Sequence, residues 1–156
     1  MADLLVKLYQ LPDPSPALAR TAEAGVSIRR PIPPERRAVL QWVDNHFGER
    51  WAGEAETALG RSPIAMHLAR DASGEICGFA CHDVTFRGFF GPVGVPQHRR
   101  GQGIGTALLL VSLRALAEAG FAYAIIGGSG DDAFYARAVG ATPVPGSDPG
   151  PYGPWR

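Results

Sequence analysis

Apolar and polar positions along this chain switch repeatedly between alternation and helical spacing, and the switches predict its elements. Leu4 to Leu11 is a short apolar segment ended by Pro12 and Pro14, which reads as a strand, and Ala17 to Ala24 fits a brief helix stopped by Gly25. Val26-Ser27-Ile28-Arg29-Arg30 alternates apolar and polar residues, the pattern of a half-buried strand. Pro33-Pro34 opens a helix with an apolar stripe of Val39, Leu40, Trp42, Val43 and Phe47, ended by Gly48; a second helix runs from Arg50 to Leu59, closed by Gly60. Ile64 to Arg70 and Glu75 to Thr85, joined by Asp71-Ala72-Ser73-Gly74, carry a hairpin signal. After a turn at Arg87-Gly88, Phe89 to Val95 reads as a strand in which Pro92 cannot donate a ladder bond and so marks an edge or a bulge. Thr106 to Ala119 is the clearest helix, with Leu109, Leu113 and Leu116 on one face and Gly120 at its end. A strand at 121–127, a short helix at 131–138 and a last strand from Thr142 to Pro145 follow.

The order is an extra strand followed by β-α-α-β-β-β-α-β-α-β. Antiparallel hairpins followed by one βαβ crossover imply an α/β (α+β) fold: a mixed, mostly antiparallel twisted sheet of about six to seven strands flanked by about four helices. A length of 156 residues is expected to make a single domain. Residues 1–25 form an N-terminal extension. Residues 146–156 form an irregular C-terminal loop, because four prolines and three glycines fall between Pro145 and Arg156.

The chemistry concentrates in Arg99-Arg100-Gly101-Gln102-Gly103-Ile104-Gly105-Thr106, which lies between a strand and the clearest helix. Glycines let the backbone turn tightly and bring its N–H groups close to a ligand. The helix adds unpaired amides and the positive end of its dipole, and arginines add charge-assisted donors suited to phosphate. The expected ligand group is a pyrophosphate. The spacing selects among phosphate loops. No Gly-Lys pair exists for a nucleoside-triphosphatase loop, and the glycines run G-x-G-x-G rather than G-x-G-x-x-G. The strand from Phe121 to Gly127 carries no acid to hold a ribose.

The pattern that fits is [RQ]-x-x-G-x-[GA], filled by Arg100, Gly103 and Gly105. It resembles motif A of the GNAT superfamily, the acyl-CoA-dependent N-acetyltransferases. Val93-Gly94-Val95-Pro96 resembles the family's fourth strand, Ala122-Tyr123-Ala124-Ile125-Ile126 its fifth, and the segment from Asp131 to Ala141 its following helix with a Phe-Tyr pair. The resemblance covers residues 85–145, which it makes the acyl-CoA-binding half. It implies that Arg100 and the loop Gly101, Gln102, Gly103, Ile104, Gly105 and Thr106 hold the pyrophosphate. Val93, Gly94 and Val95 would then pair with the pantetheine arm and supply an oxyanion donor, and a bulge at Gly91-Pro92 would open a slot for the cofactor. Tyr135 is implied as the general acid for the leaving thiolate. The implied activity is transfer of an acetyl group from acetyl-CoA to a primary amine, of a small molecule or of a peptide, with no metal. The family usually ends in a long strand hairpin. Here the extra N-terminal strand or a neighbouring subunit is expected to cover the edge left open, and a homodimer is one possibility.

Composition narrows the remaining classes. Zero net charge argues against a nucleic acid or an anionic membrane as partner. No segment reaches the roughly 18 apolar residues of a membrane span. The first residues show no basic leader or small-residue cleavage signal, so no signal peptide is expected. Cys77 and Cys81 on one strand would sit roughly 13 Å apart, too far for a disulfide and too few for a metal, which suggests a reducing, cytoplasmic location. The general base is open: Asp83, His82, Glu49 and Glu54 are candidates, as is a water chain. The acceptor is expected against 42–54, 82–90 and the C-terminal loop, with Trp42, Trp51, Phe89, Phe90, Tyr152 and Trp155 as an aromatic lining. Asp44, Glu49, Glu54 and Glu56 nearby would suit a small cationic amine. Two other readings remain, a non-catalytic acyl-CoA-binding or sensing module and a nucleotide-binding βαβ protein.

Overall fold

The computed structural model describes residues 1–153. Seven strands form one sheet: β1 (Leu4–Lys7), β2 (Ser27–Arg29), β3 (Met66–Arg70), β4 (Ile76–His82), β5 (Phe89–Gly94), β6 (Tyr123–Ile126) and β7 (Thr142–Pro143). The helices are α1 (Ser15–Glu23), α2 (Arg36–Phe47), α3 (Glu49–Leu59), α4 (Ile104–Glu118) and α5 (Asp132–Val139). The spatial order is β2-β3-β4-β5-β6-β1-β7, antiparallel throughout except for the parallel pair β5–β6. The element order matches the expectation from periodicity, with α1 as a fifth helix.

The extra strand covers the exposed edge, as expected. β1 pairs with β6 along Leu4↔Ile126 to Lys7↔Tyr123 and with β7 on its other side. It is shorter than the apolar run suggests, because residues 8–10 turn into a 3-10 helix, where Leu8 stays buried. Leu4 and Val6 alternate into the core with Ala124 and Ile126, while Lys7 faces solvent. β1 is anchored at its start by Asp3. The Asp3 carboxylate accepts from the Gly128 amide at 3.0 Å, and its own amide donates to Ser147 Oγ at 2.8 Å.

The sheet separates two apolar clusters. On one face, α4 packs Ile104, Leu108, Leu109, Leu113 and Leu116 against β1, β6 and Phe90. On the other, Val39 and Val43 of α2 and Ala55, Ala58 and Leu59 of α3 pack on Met66, Leu68, Phe79 and Cys81. Cys77 and Cys81 are buried free thiols, one in each cluster. Burial pushes both thiols up, so neither is a ready nucleophile.

Two buried histidines lie on the α4 face. His67 and His82 stack with ring centroids 5.5 Å apart, and Ser112 of α4 reaches His67 Nδ1 at 3.4 Å. Desolvation lowers His67 to about 3 and His82 to about 4, assisted by their neighbouring positive charges. Glu35 is also lowered, to about 2, chiefly by its hydrogen bonds from Arg29, with Arg70 and the Ile32 amide adding to them. All three groups bind protons more weakly in the native state than in the unfolded chain. Stability is therefore expected to fall as the pH drops below about 6.5, where unfolded histidine begins to protonate. Between about pH 6 and 4.5 the slope should approach two protons, on the order of 2.7 kcal/mol per pH unit. Glu35 adds to the loss below about pH 4.5. Denaturant titrations from pH 8 to 4 test this, and a flat profile above pH 5 would refute the buried neutral pair.

Candidate active site

The site begins where the parallel pair ends. β5 and β6 pair only at Phe89↔Ile125 and Phe90↔Ile126. Against β4, the register jumps from Ala80↔Val93 to His82↔Phe90, so Gly91 and Pro92 together oppose Cys81. This is the bulge that Pro92 signals in the sequence, and Gly91 takes the left-handed φ of +118° that it needs. Beyond it, Val93 and Gly94 follow β4 and leave β6. A slot of about 210 Å³ opens between the strands, lined by Trp51, Phe90, Pro92, Val93, Ile126, Tyr135 and the Gly127–Gly130 stretch.

The slot runs into a larger cleft of about 770 Å³ along the glycine loop. Of the residues expected to bind the cofactor, Val93, Gly94, Val95, Arg100, Gly101, Gly103, Ile104, Gly105 and Thr106 line it; Gln102 does not. Gly101 and Gly103 have φ of +85° and +80°, and Gly103 is the N-cap of α4, so the helix starts at Ile104 rather than Thr106. A Cβ at Gly101 or Gly105 would meet nothing within 4 Å, so the wall is smooth backbone facing open space, as a bound phosphate requires. Arg100 Nε donates to the Val95 carbonyl at 3.3 Å and its guanidinium borders the cleft. Arg99 also borders it but pairs with Asp71 at 3.0 Å, so its charge is balanced by the β3–β4 turn.

Tyr135 stands where the two cavities meet and lines both. Asp131 caps α5 by accepting from the Phe134 amide at 3.0 Å, which fixes the helix turn that presents Phe134 and Tyr135. The Tyr135 ring meets Phe90 edge-on at 6.4 Å. Burial, and then the charge of Asp131, push the Tyr135 hydroxyl up to about 12, so it stays protonated at neutral pH.

The proposed bases are placed elsewhere. Asp83, at φ +59°, accepts from Arg87 and from the Gly88 amide and holds the β4–β5 turn. Glu54 accepts from Thr85, and His82 is buried against His67. None of Asp44, Glu49, Glu54 and Glu56 lines either cavity, where the one acid is Asp131. Of the aromatic candidates, Trp51 and Phe90 line the cavities. Trp42 packs on Phe79, while Tyr152 packs on Phe86, Phe89 and the end of β6 at Gly127. Trp155 lies outside the described residues.

Arg20, Phe47 and Asp131 also line the cleft; the sequence places Phe47 only in a helix's apolar stripe and Asp131 only at a helix start, and carries no signal for Arg20. Phe47 explains Gly94. A Cβ there would lie 2.5 Å from the Phe47 ring, which covers the strand beside the slot and stacks on Trp51 at 5.1 Å. Gly94→Ala is expected to cost about 1–3 kcal/mol in denaturation experiments, the usual range for overpacking. A double-mutant cycle with Phe47→Ala should show that cost largely removed. Strictly additive costs would mean that the ring yields freely.

The family model described as acetyltransferase (GNAT) family matches residues 34–141. No curated protein matches the chain. Among solved structures, the glucosamine N-acetyltransferase region of a fungal multi-domain β-N-acetylglucosaminidase is 18% identical, with a TM-score of 0.75 over 92% of this chain and 19% of that one. A GCN5-related N-acetyltransferase from Sphaerobacter thermophilus is 23% identical, with a TM-score of 0.68 over 92% of this chain and 48% of that one. An Escherichia coli GNAT family N-acetyltransferase in complex with CoA is 23% identical, with a TM-score of 0.54 over 72% of this chain and 67% of that one. The chain thus spans less than half of each of the first two, and likeness at these identities establishes the fold. With the family model covering more than half of its length, this chain belongs to the GNAT acetyltransferase family.

Proposed function

We propose that the protein transfers an acetyl group from acetyl-CoA to a primary amine by direct attack, with Tyr135 as general acid. The observation that carries this reading is the meeting of two cavities at Tyr135, one walled by phosphate-binding backbone and the other by a splayed strand pair. The CoA-bound Escherichia coli neighbour supports the choice of cofactor. The residues fit it: open space stands over Gly101 and Gly105, and the guanidinium of Arg100 lies beside them.

Acetyl-CoA supplies an activated thioester, whose C–S bond breaks as a C–N bond to the amine forms. The loop amides and Arg100 hold its phosphates at the N-terminus of α4. Val93 and Gly94 offer backbone groups along the edge that β6 leaves unpaired, which align the pantetheine arm and donate to the carbonyl oxygen as charge develops there. Trp51, Phe90 and Pro92 exclude bulk water from the slot. Tyr135 passes its proton to the departing sulfur and is reprotonated from solvent, while the amine releases its own proton to water in the open cleft.

Isothermal titration with acetyl-CoA, CoA and NAD comes first. Both CoA species should bind and NAD should not; absence of CoA binding would overturn the reading. Gly105→Asp should abolish CoA binding by placing a carboxylate against the phosphates. The same variant should keep the thermal stability of the parent, since its side chain meets open space and an acid suits a helix N-terminus. Thiol release is then followed with an amine panel that starts from glucosamine, the acceptor named for the fungal neighbour. Tyr135→Phe should lower kcat about 100-fold or more, the usual worth of a general acid, with acetyl-CoA affinity unchanged. An unaltered kcat would remove Tyr135 from this role. Tight CoA binding without thiol release to any amine would instead make the chain an acyl-CoA-binding module.

A further inference from the structure

We propose that Arg20 of α1 anchors the diphosphate of the cofactor, an assignment that rests on the acetyl-CoA reading above. Arg20 lies outside the 34–141 region that the family model matches, on α1 and 81 residues before Gly101 of the glycine loop. Its guanidinium nevertheless crosses that loop. Nη2 donates to the Gly101 carbonyl at 3.3 Å, and Cδ, Nε and Cζ lie 3.1–3.3 Å from where a Cβ at Gly103 would be. Gly103 therefore serves two ends: it permits the left-handed N-cap, and it lets the arginine lie flat on the backbone. A guanidinium has five N–H donors. The Gly101 bond occupies one of them, on a side chain that borders the cleft.

The electrostatics call for an anion between these groups. Arg20 and Arg100 have no ion-pair partner among the described residues, in contrast to Arg99 with Asp71. Both sit beside the positive end of the α4 dipole, which repels further cations. Three positive sources converging on Gly101–Gly105 are mutually unfavourable until a multiply charged anion joins them, and a diphosphate fits a planar fork bidentately. The helix that carries Arg20 is held in place. Thr21 is buried and receives the Val26 amide on its carbonyl at 2.9 Å, and Ala17 packs on the α4 cluster.

The test compares the parent protein with Arg20→Gln and Arg20→Lys, titrated with acetyl-CoA, dephospho-CoA and S-acetylpantetheine. Arg20→Gln should weaken the first two alike, by about tenfold, the range of one charge-assisted hydrogen bond. It should leave S-acetylpantetheine binding and the ligand-free melting temperature unchanged, and flatten the salt dependence of acetyl-CoA binding. Arg20→Lys should recover part of the loss. Three results overturn the assignment: no weakening in Arg20→Gln; equal weakening of all three ligands, which would mean that Arg20 only braces the loop; or a loss confined to acetyl-CoA, which would place Arg20 on the 3′-phosphate. If the parent bound none of the three, the acetyl-CoA reading itself would fall and this assignment with it.

Discussion

The structure depends on a parallel strand pair that stops after two residues. β5 and β6 meet at Phe89↔Ile125 and Phe90↔Ile126 and then part at the Gly91-Pro92 bulge. Breaking a sheet in its middle leaves backbone donors and acceptors unpaired and halves the support of each strand, so both need other partners. β5 keeps β4. β6 has β1, whose four-residue antiparallel ladder holds it where the parallel ladder is too short to do so. The slot is thus sustained by the N-terminal strand that the chain threads between β6 and β7.

Charge is graded along the cleft in the same sense. Arg20, Arg100 and the start of α4 make one part of the cleft electropositive, while another holds Asp131 and a Tyr135 that remains neutral. α4 can aim its positive end at the loop because it is the most deeply buried helix, fixed by Ile104, Leu108, Leu109, Leu113 and Leu116 against the sheet. A dipole with a fixed direction acts on a ligand without reorganising, which is what a preorganised site requires.

What the sequence revealed divides by range. The glycine loop, α4 and the Pro92 bulge are legible because each is written in contiguous residues whose chemistry is local: a left-handed turn, a leucine face, a missing N–H. Tyr135 comes into view only through the resemblance of residues 131–141 to a family helix. The chain order follows from periodicity, while the covering role of the N-terminal strand is one of two options that the missing C-terminal hairpin raises, and the pairing of β1 with β6 selects it. Arg20 over Gly103, Phe47 over Gly94 and Asp3 on Gly128 were not legible, because each joins side chain to backbone across 47 to 125 residues and leaves no spacing to read. The acids offered as general bases are misplaced for a related reason. Asp83 and Glu54 look unassigned in sequence, and only the fold shows that Arg87, Gly88 and Thr85 already occupy them.

The N-terminal segment is therefore more than an addition to the family's core. It precedes the region matched by the family model, yet β1 supplies the sheet with the strand that supports β6, and Asp3 ties Gly128 at the mouth of the slot to Ser147 of the C-terminal segment. α1 then brings a cation to the opposite end of the cleft. One short stretch of chain thus touches both the slot, through Asp3 and β1, and the glycine loop, through Arg20. The site is therefore built from residues 1–25 as well as from the region that carries the glycine loop, and its two cavities share a support that neither could draw from the 85–145 segment alone.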